Sequence, residues 1–138
     1  MEQQPLPPFN EWGLLPSGIW RCSMADFEER FGDTMQREVL LNGMNEFADL
    51  AKRYGGLRLL IGGSFVTAKP EPNDLDVILV VPSDWEIARN EMLLERCIEL
   101  GIHCFIVRED DQQELADWLH FFGHDRSGNP KGLVEVNL

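Results

Sequence analysis

Positive charge is scarce in this 138-residue chain, where 12 lysines and arginines face 24 aspartates and glutamates for a formal charge of −12. Coating DNA, RNA or an anionic membrane needs broad positive surface, so neither nucleic acid nor a membrane is expected as the main partner. Long apolar runs are missing as well, and nothing approaches the roughly 20 residues that cross a bilayer. The opening Met1-Glu2-Gln3-Gln4-Pro5 lacks a positive segment followed by an apolar one, so no secretory leader is expected. Cysteine is sparse and odd in number, with Cys22, Cys97 and Cys104 forming no Cys-x-x-Cys pair. That pattern argues for reduced, buried thiols in a cytoplasmic protein and against a disulfide framework or a structural zinc site. Internal repeats and low-complexity tracts are absent too.

What remains is ordinary globular material, 43% hydrophobic and 26% charged, enough for one domain with a small core. Pro5, Pro7, Pro8 and Pro16 are interspersed with Trp12, Leu14, Leu15, Ile19 and Trp20. Proline favours extended backbone, so residues 1–22 are expected as an arm packed on a domain of residues 23–138; a partner-binding peptide is the sharper reading of the same composition. Ser23 and Asp26 form a capping box for a short helix through Phe27 and Phe31, stopped by Gly32. Asp33 or Thr34 caps a longer one to about Tyr54, with Val39, Leu40, Gly43, Met44, Phe47, Leu50, Ala51 and Tyr54 at helical spacing. Gly55-Gly56 ends it.

Strand character follows at 57–61 and at 75–81, the latter almost wholly aliphatic, as expected of a strand buried on both faces. Ser83 and Glu86 suggest a capped helix to Leu100, residues 102–107 a third strand, Asp110 or Asp111 the start of a helix burying Leu115, Trp118, Leu119 and Phe122, and residues 133–136 a last strand. The order predicts a small α/β (α+β) domain, a mixed sheet flanked by helices.

The informative stretch is Gly62-Gly63-Ser64-Phe65 followed by Asp74-Leu75-Asp76-Val77. Asp74 and Asp76, two apart at a strand start, project to one face roughly 6–7 Å from each other, while Leu75 and Val77 point to the core. Two such carboxylates repel unless a cation sits between them, and Mg2+, which wants oxygen ligands, would relieve that strain. Glycines let backbone approach closely and turn their N–H groups to an anion. Ser64 adds a hydroxyl where a short helix can begin, and Lys69 in the intervening loop can reach a phosphate. A Gly-Gly-Ser alone is commonly a turn, and an Asp-x-Asp alone a solvated strand entry. Together they describe a site for a nucleoside triphosphate with magnesium.

Gly63-Ser64, a gap, then Asp74-Leu75-Asp76-Val77 resembles the signature of the DNA polymerase β-like nucleotidyltransferases in their minimal (MNT-type) form. The whole chain is also similar to a family of short, uncharacterised bacterial proteins related to that superfamily, through Gly13-Leu14-Leu15-Pro16-Ser17-Gly18-Ile19, Gly63 to Lys69, Pro72 to Asp76 and Pro130-Lys131-Gly132-Leu133-Val134. The resemblance implies a nucleotidyltransferase-like fold and magnesium-dependent transfer of a nucleoside monophosphate, usually AMP, from a triphosphate to a hydroxyl of a protein or nucleic-acid acceptor, with release of pyrophosphate. It places Gly63 and Ser64 at the terminal phosphates, with ATP the expected triphosphate, and Asp74 and Asp76 at the metal; Gly62 and Lys69 join the nucleotide-binding set on the reading of the residues above. Minimal members often work with a second protein encoded beside them, including toxin–antitoxin and phage-defence pairs, so a protein partner is implied; the acidic balance suits a basic one.

Members of the superfamily normally carry a third carboxylate on the next strand, and here that strand reads Gly101-Ile102-His103-Cys104-Phe105-Ile106-Val107. His103 as catalytic base, Glu109 or Asp110 reaching in from the loop, and a domain without turnover that acts as an antitoxin or regulatory subunit are the three readings this leaves open; a hydrogen-bonded structural histidine is the bland one. His120 and His124 are four apart, but Gly123 is expected to end the helix between them, which disfavours zinc. Glu109-Asp110-Asp111 reads as a solvated helix start. Arg126 and Lys131 suit phosphate, a partner or plain surface, and Trp118, Phe121 and Phe122 look like core at helical spacing, an exposed interface being the sharper reading.

Overall fold

A computed structural model describes residues 6–138; the first five residues of the expected arm, Pro5 included, lie outside the described residues. The chain runs through β1 (Ile19–Cys22), α1 (Met24–Phe31), α2 (Met35–Tyr54), β2 (Arg58–Gly62), a single 3₁₀ turn (Gly63–Val66), β3 (Leu75–Val81), α3 (Ala88–Leu100), β4 (Ile102–Arg108), α4 (Gln112–Phe122) and β5 (Leu133–Val136). The strands form one five-stranded sheet in the order β1-β5-β2-β3-β4. β2 lies antiparallel to both β3 and β5, while β1–β5 and β3–β4 are parallel pairs. This is the mixed sheet with flanking helices that the element order predicts. No helix among the described residues is long and apolar enough to cross a membrane.

Alternation along the strands sends side chains to two unequal cores. Leu59, Ile61, Leu75, Val77 and Leu79 join Phe27, Phe31, Met44, Phe47, Leu93 and Cys97 beneath α1, α2 and α3. Leu60, Ile78, Val80, Val107 and Leu133 face the other way and meet Phe122, with Phe105, Leu115, Trp118 and Leu119 packed around them. β3 is buried on both faces because it lies between two strands and between both helix layers, which accounts for its aliphatic run.

Caps largely follow the side-chain chemistry. Ser23 accepts from the Asp26 N–H, Thr34 from the Arg37 N–H and Asp111 from the Glu114 N–H, while Gly55 and Gly101 close α2 and α3 in the left-handed conformation. α3 departs from expectation by starting at Ala88 without a side-chain cap. Trp85 is buried and its indole Nε1 donates to Asn90 Oδ1 at 2.7 Å, so a turn from Pro82 to Trp85 occupies the residues of the expected cap. Val39 turns outward and is 64% exposed, leaving the buried stripe of α2 narrower than its apolar pattern.

Within the stretch expected as an arm, Ile19–Cys22 pairs with β5 in parallel register, a strand that four residues flanked by proline and glycine did not announce. Leu14 and Leu15 are buried, Leu14 bridges to Thr67, and the Ala68 N–H donates to Gly13 O at 2.8 Å. The thiols of Cys22 and Cys97 are buried and that of Cys104 half-buried, all three free.

Candidate functional site

Three neighbouring strands align Gly62, Asp76 and His103 in one row, since Gly62 pairs with Asp76 and Asp76 with His103. All three lie on the sheet face that carries α4. Asp74, just ahead of β3, completes a group whose ligand atoms lie within 4.8 Å of one another, the only such group of three among the described residues. His103 Nδ1 is 3.2 Å from Asp76 Oδ1 and 3.4 Å from Asp74 Oδ2. With its proton on Nδ1 the ring donates to the acid pair, and Nε2 keeps a free lone pair.

The two glycines of the turn do different work. Gly63 has φ +71°, and a Cβ there would overlap Asp76 Oδ2, so its bare backbone lets the carboxylate lie against the turn. Gly62 is buried and absent from the cleft lining; a Cβ on it would stand 3.0 Å from the Phe122 ring. Its missing side chain is the seat of Phe122, and through it the end of α4 docks beside the acid pair.

Burial pushes the Asp76 carboxyl up and Asp74 pushes it further; His103 and Lys131 oppose them, but the group stays above its ordinary value. Burial is the larger cause and the like charge of Asp74 the smaller one, so both act against the charged form of Asp76.

The cluster opens into a cleft of about 870 Å³. One wall is the 3₁₀ turn and its continuation, with Gly63, Ser64, Thr67, Lys69 and Asn73; the other is the end of α4 and the loop behind it, with His120, Phe121, Arg126 and Lys131. Of the residues proposed from sequence, Gly63, Ser64, Lys69, Asp74, Asp76 and His103 therefore share one cleft, and Gly62 supports it from below. Glu109 and Asp110 do not reach it. They follow the far end of β4, six residues or about 20 Å beyond His103 by strand rise; Asp110 lies 3.7 Å from Arg108, and Glu109 lines a separate groove beside α4. The loop-acid reading is corrected accordingly: His103 alone occupies the place opposite Asp76.

The sequence does not single out Arg37 or the Asp125-built loop as parts of this site, and it offers Lys131 for phosphate, a partner or plain surface. Arg37, 2% exposed, donates to Phe65 O at 2.7 Å, Thr67 O at 2.8 Å and Lys69 O at 2.6 Å, and its guanidinium lies 4.8 Å above the Phe65 ring. Burial lowers its pKa and Asp33 partly opposes that. With Thr34 donating to Pro70 O and Gln36 to Pro72 O, the first turn of α2 grips the whole loop between the glycine turn and Asp74. An arginine inside an amphipathic pattern gives no hint of this.

Lys131 is half-buried in the cleft; burial lowers its pKa while Asp125 and Asp76 hold it up. Its position is set by its neighbour Gly132, where a Cβ would overlap Pro16 O, and by its own N–H, which donates to Gly123 O at 2.9 Å. Behind α4, Asp125 accepts from the N–H groups of Ser127 and Asn129 at 2.9 and 2.8 Å, an Asx-built loop that carries Arg126 on the rim. His124 Nδ1 donates to His120 O at 3.0 Å, and neither histidine belongs to the Asp74–Asp76–His103 group.

The chain belongs to the family described as "Family of unknown function (DUF6932)", whose model matches residues 7–137. No curated protein and no solved structure matches it.

Proposed function

We propose that this member of a family of unknown function is a nucleotidyltransferase that takes its nucleotide, ATP foremost, with Mg2+ in the cleft beside β3. The observation that carries the reading is the Asp74–Asp76–His103 cluster facing the Gly63-Ser64 turn and Lys131 across one cleft. The residues fit a hard divalent ion: two neighbouring carboxylates supply oxygen donors, and magnesium is commonly held by one or two carboxylates plus substrate phosphates. Asp74 and Asp76 would hold it, and bound there it would polarise the α-phosphate and neutralise charge on the leaving pyrophosphate. His103 contributes as base rather than ligand, since imidazole is a poor magnesium donor.

The chain's own groups divide the remaining work. The Gly63 backbone, Ser64 hydroxyl, Lys69 and Lys131 bind the phosphates. The acid pair orients His103 through Nδ1, and Nε2 takes the proton from the attacking hydroxyl as the new oxygen–phosphorus bond forms and the bond to the β-phosphate breaks. A cytoplasmic setting suits the free thiols, and the acidic surface suits a basic protein partner, as acceptor or as the second member of a toxin–antitoxin or phage-defence pair. A second reading, a nucleotide-binding antitoxin or regulatory subunit without turnover, is favoured by one observation: histidine stands where a third carboxylate is expected.

The deciding experiment follows ATP binding and pyrophosphate release, with and without magnesium, in wild type, Asp76→Asn and His103→Ala. Magnesium-dependent release lost in Asp76→Asn and reduced about 100-fold or more in His103→Ala is the outcome expected of the transferase. Binding without release identifies the regulatory reading, and no binding overturns both. Because the acid pair repels, Asp76→Asn is expected to melt no lower than wild type in the absence of metal; a marked loss of stability would count against that account.

A further inference from the structure

Phe121 is 65% exposed and lines the cleft, although the residue beside it, Phe122, is buried at 5%. An aromatic ring left in water adds nothing to the core, yet this one is held in place. It meets Trp118 edge-on at 5.9 Å and Phe122 edge-on at 5.1 Å between centroids, while Trp118 packs on Phe105 at 4.2 Å. Phe122 seats on Gly62, which pairs with Asp76. The ring of Phe121 is thus mounted on a rigid aromatic stack anchored to the row that carries the acid pair.

The same wall holds His120 and Arg126. Planar rings and a guanidinium at the rim, opposite phosphate-binding groups, are the components that hold a nucleobase by stacking and edge hydrogen bonds. The cleft's volume is of the size that encloses a drug-sized molecule, more than a triphosphate and an ion alone would fill.

We infer that the end of α4 is a nucleobase subsite, with Phe121 as the stacking platform and His120 and Arg126 at the base edge. This rests on the nucleotide reading above and adds to it how the nucleoside is recognised. Stacking makes the platform tolerant of base identity, so its contribution appears as the difference between a nucleotide and its bare phosphate chain.

The test is calorimetric titration of the full chain with magnesium ATP and, separately, with magnesium tripolyphosphate, using wild type, Phe121→Ala and Phe121→Trp. The exposed position makes both variants compatible with folding, which thermal melting checks. Expected is a loss of about tenfold or more in ATP affinity for Phe121→Ala, retention in Phe121→Trp, and unchanged tripolyphosphate affinity in both. Tripolyphosphate binding in wild type with ATP bound no tighter overturns the subsite while leaving the phosphate and metal site standing. So does an ATP affinity indifferent to Phe121→Ala, the result expected if the ring is a protein contact. Binding of neither ligand to wild type overturns the subsite together with the nucleotide reading.

Discussion

Gly62 and Gly63 are adjacent and identical, and the space around them gives them separate tasks. Gly63 stands against the Asp76 carboxylate at positive φ, and Gly62 makes room for Phe122. Gly63→Ala therefore combines backbone strain of about 1–3 kcal/mol with displacement of a carboxylate from the cluster. The expected outcome is loss of magnesium-dependent ATP binding with a lowered melting temperature, read by titration and by thermal unfolding. Gly62→Ala is expected to act on the seat of α4 instead, loosening the wall that carries Phe121. Near-equal effects of the two on metal binding would argue against the division. His103 makes the same point, since its chemistry comes from its neighbour across the sheet and not from its own strand.

At the scale of elements, the first turn of α2 and the pair β2–β5 hold the frame of the cleft. Arg37 supplies donors to the buried carbonyls of Phe65 and Thr67 and to the part-buried carbonyl of Lys69. Arg37→Met removes the donors and leaves those carbonyls unpaired, for an expected loss of about 3 kcal/mol by urea unfolding, with weakened ATP binding because Lys69 lies on the released loop and Ser64 in the turn that leads into it. Between β2 and β5, Arg58 donates to Glu135 at 3.2 and 2.8 Å. Burial pushes the Glu135 carboxyl up, but the hydrogen bond and charge of Arg58, with Arg21, outweigh it and leave it below its ordinary 4.5. An acid depressed in the folded state binds fewer protons there than when unfolded. Its stabilisation is complete above about pH 4.5 and is lost as pH falls through the lower, folded value. Glu135→Gln is expected to cost about 1 kcal/mol at pH 7 and to flatten this part of the acid side of the stability curve, measured by urea unfolding from pH 7 to pH 3.

Across the whole molecule, charge is distributed against its own average. In a chain of net −12, three of the 12 lysines and arginines and all three histidines line one cleft, against three of the 24 acids. The formal charges in the cleft therefore cancel, and an anion meets less repulsion there than over the acidic remainder of the surface. Magnesium and ATP at one hundred times the dissociation constant are expected to stabilise the fold by about 2.7 kcal/mol, visible as a rise in melting temperature that is absent in Asp74→Asn and Asp76→Asn. An equal rise in those variants would place binding elsewhere. The segments that carry the family resemblance also converge here: Leu14, Gly63 to Lys69, Asn73 to Asp76 and Lys131 line the cleft or border it.

Periodicity and punctuation determined the elements. The caps Ser23, Thr34 and Asp111 and the stops at Gly55 and Gly101 are local signals, because a helix end is satisfied mainly by residues close in sequence, and the aliphatic run of β3 is legible because burial on both faces demands apolar side chains at every position. The acid pair was legible for the same reason: two residues apart on a strand share a face wherever the strand goes. Register, layer and long-range closure were decided by tertiary structure. Only the parallel pairing of β3 with β4 puts His103 opposite Asp76, and only the packing of Phe122 on Gly62 turns the end of α4 into the second wall. Glu109 and Asp110 look close to His103 along the chain and are kept away by the length of a straight strand. Arg37 carries no local sign of its role, and Lys131 fits phosphate, a partner or surface alike until burial and distant carbonyls or carboxylates decide, and neighbours of that kind are assigned by the fold, not by the local pattern.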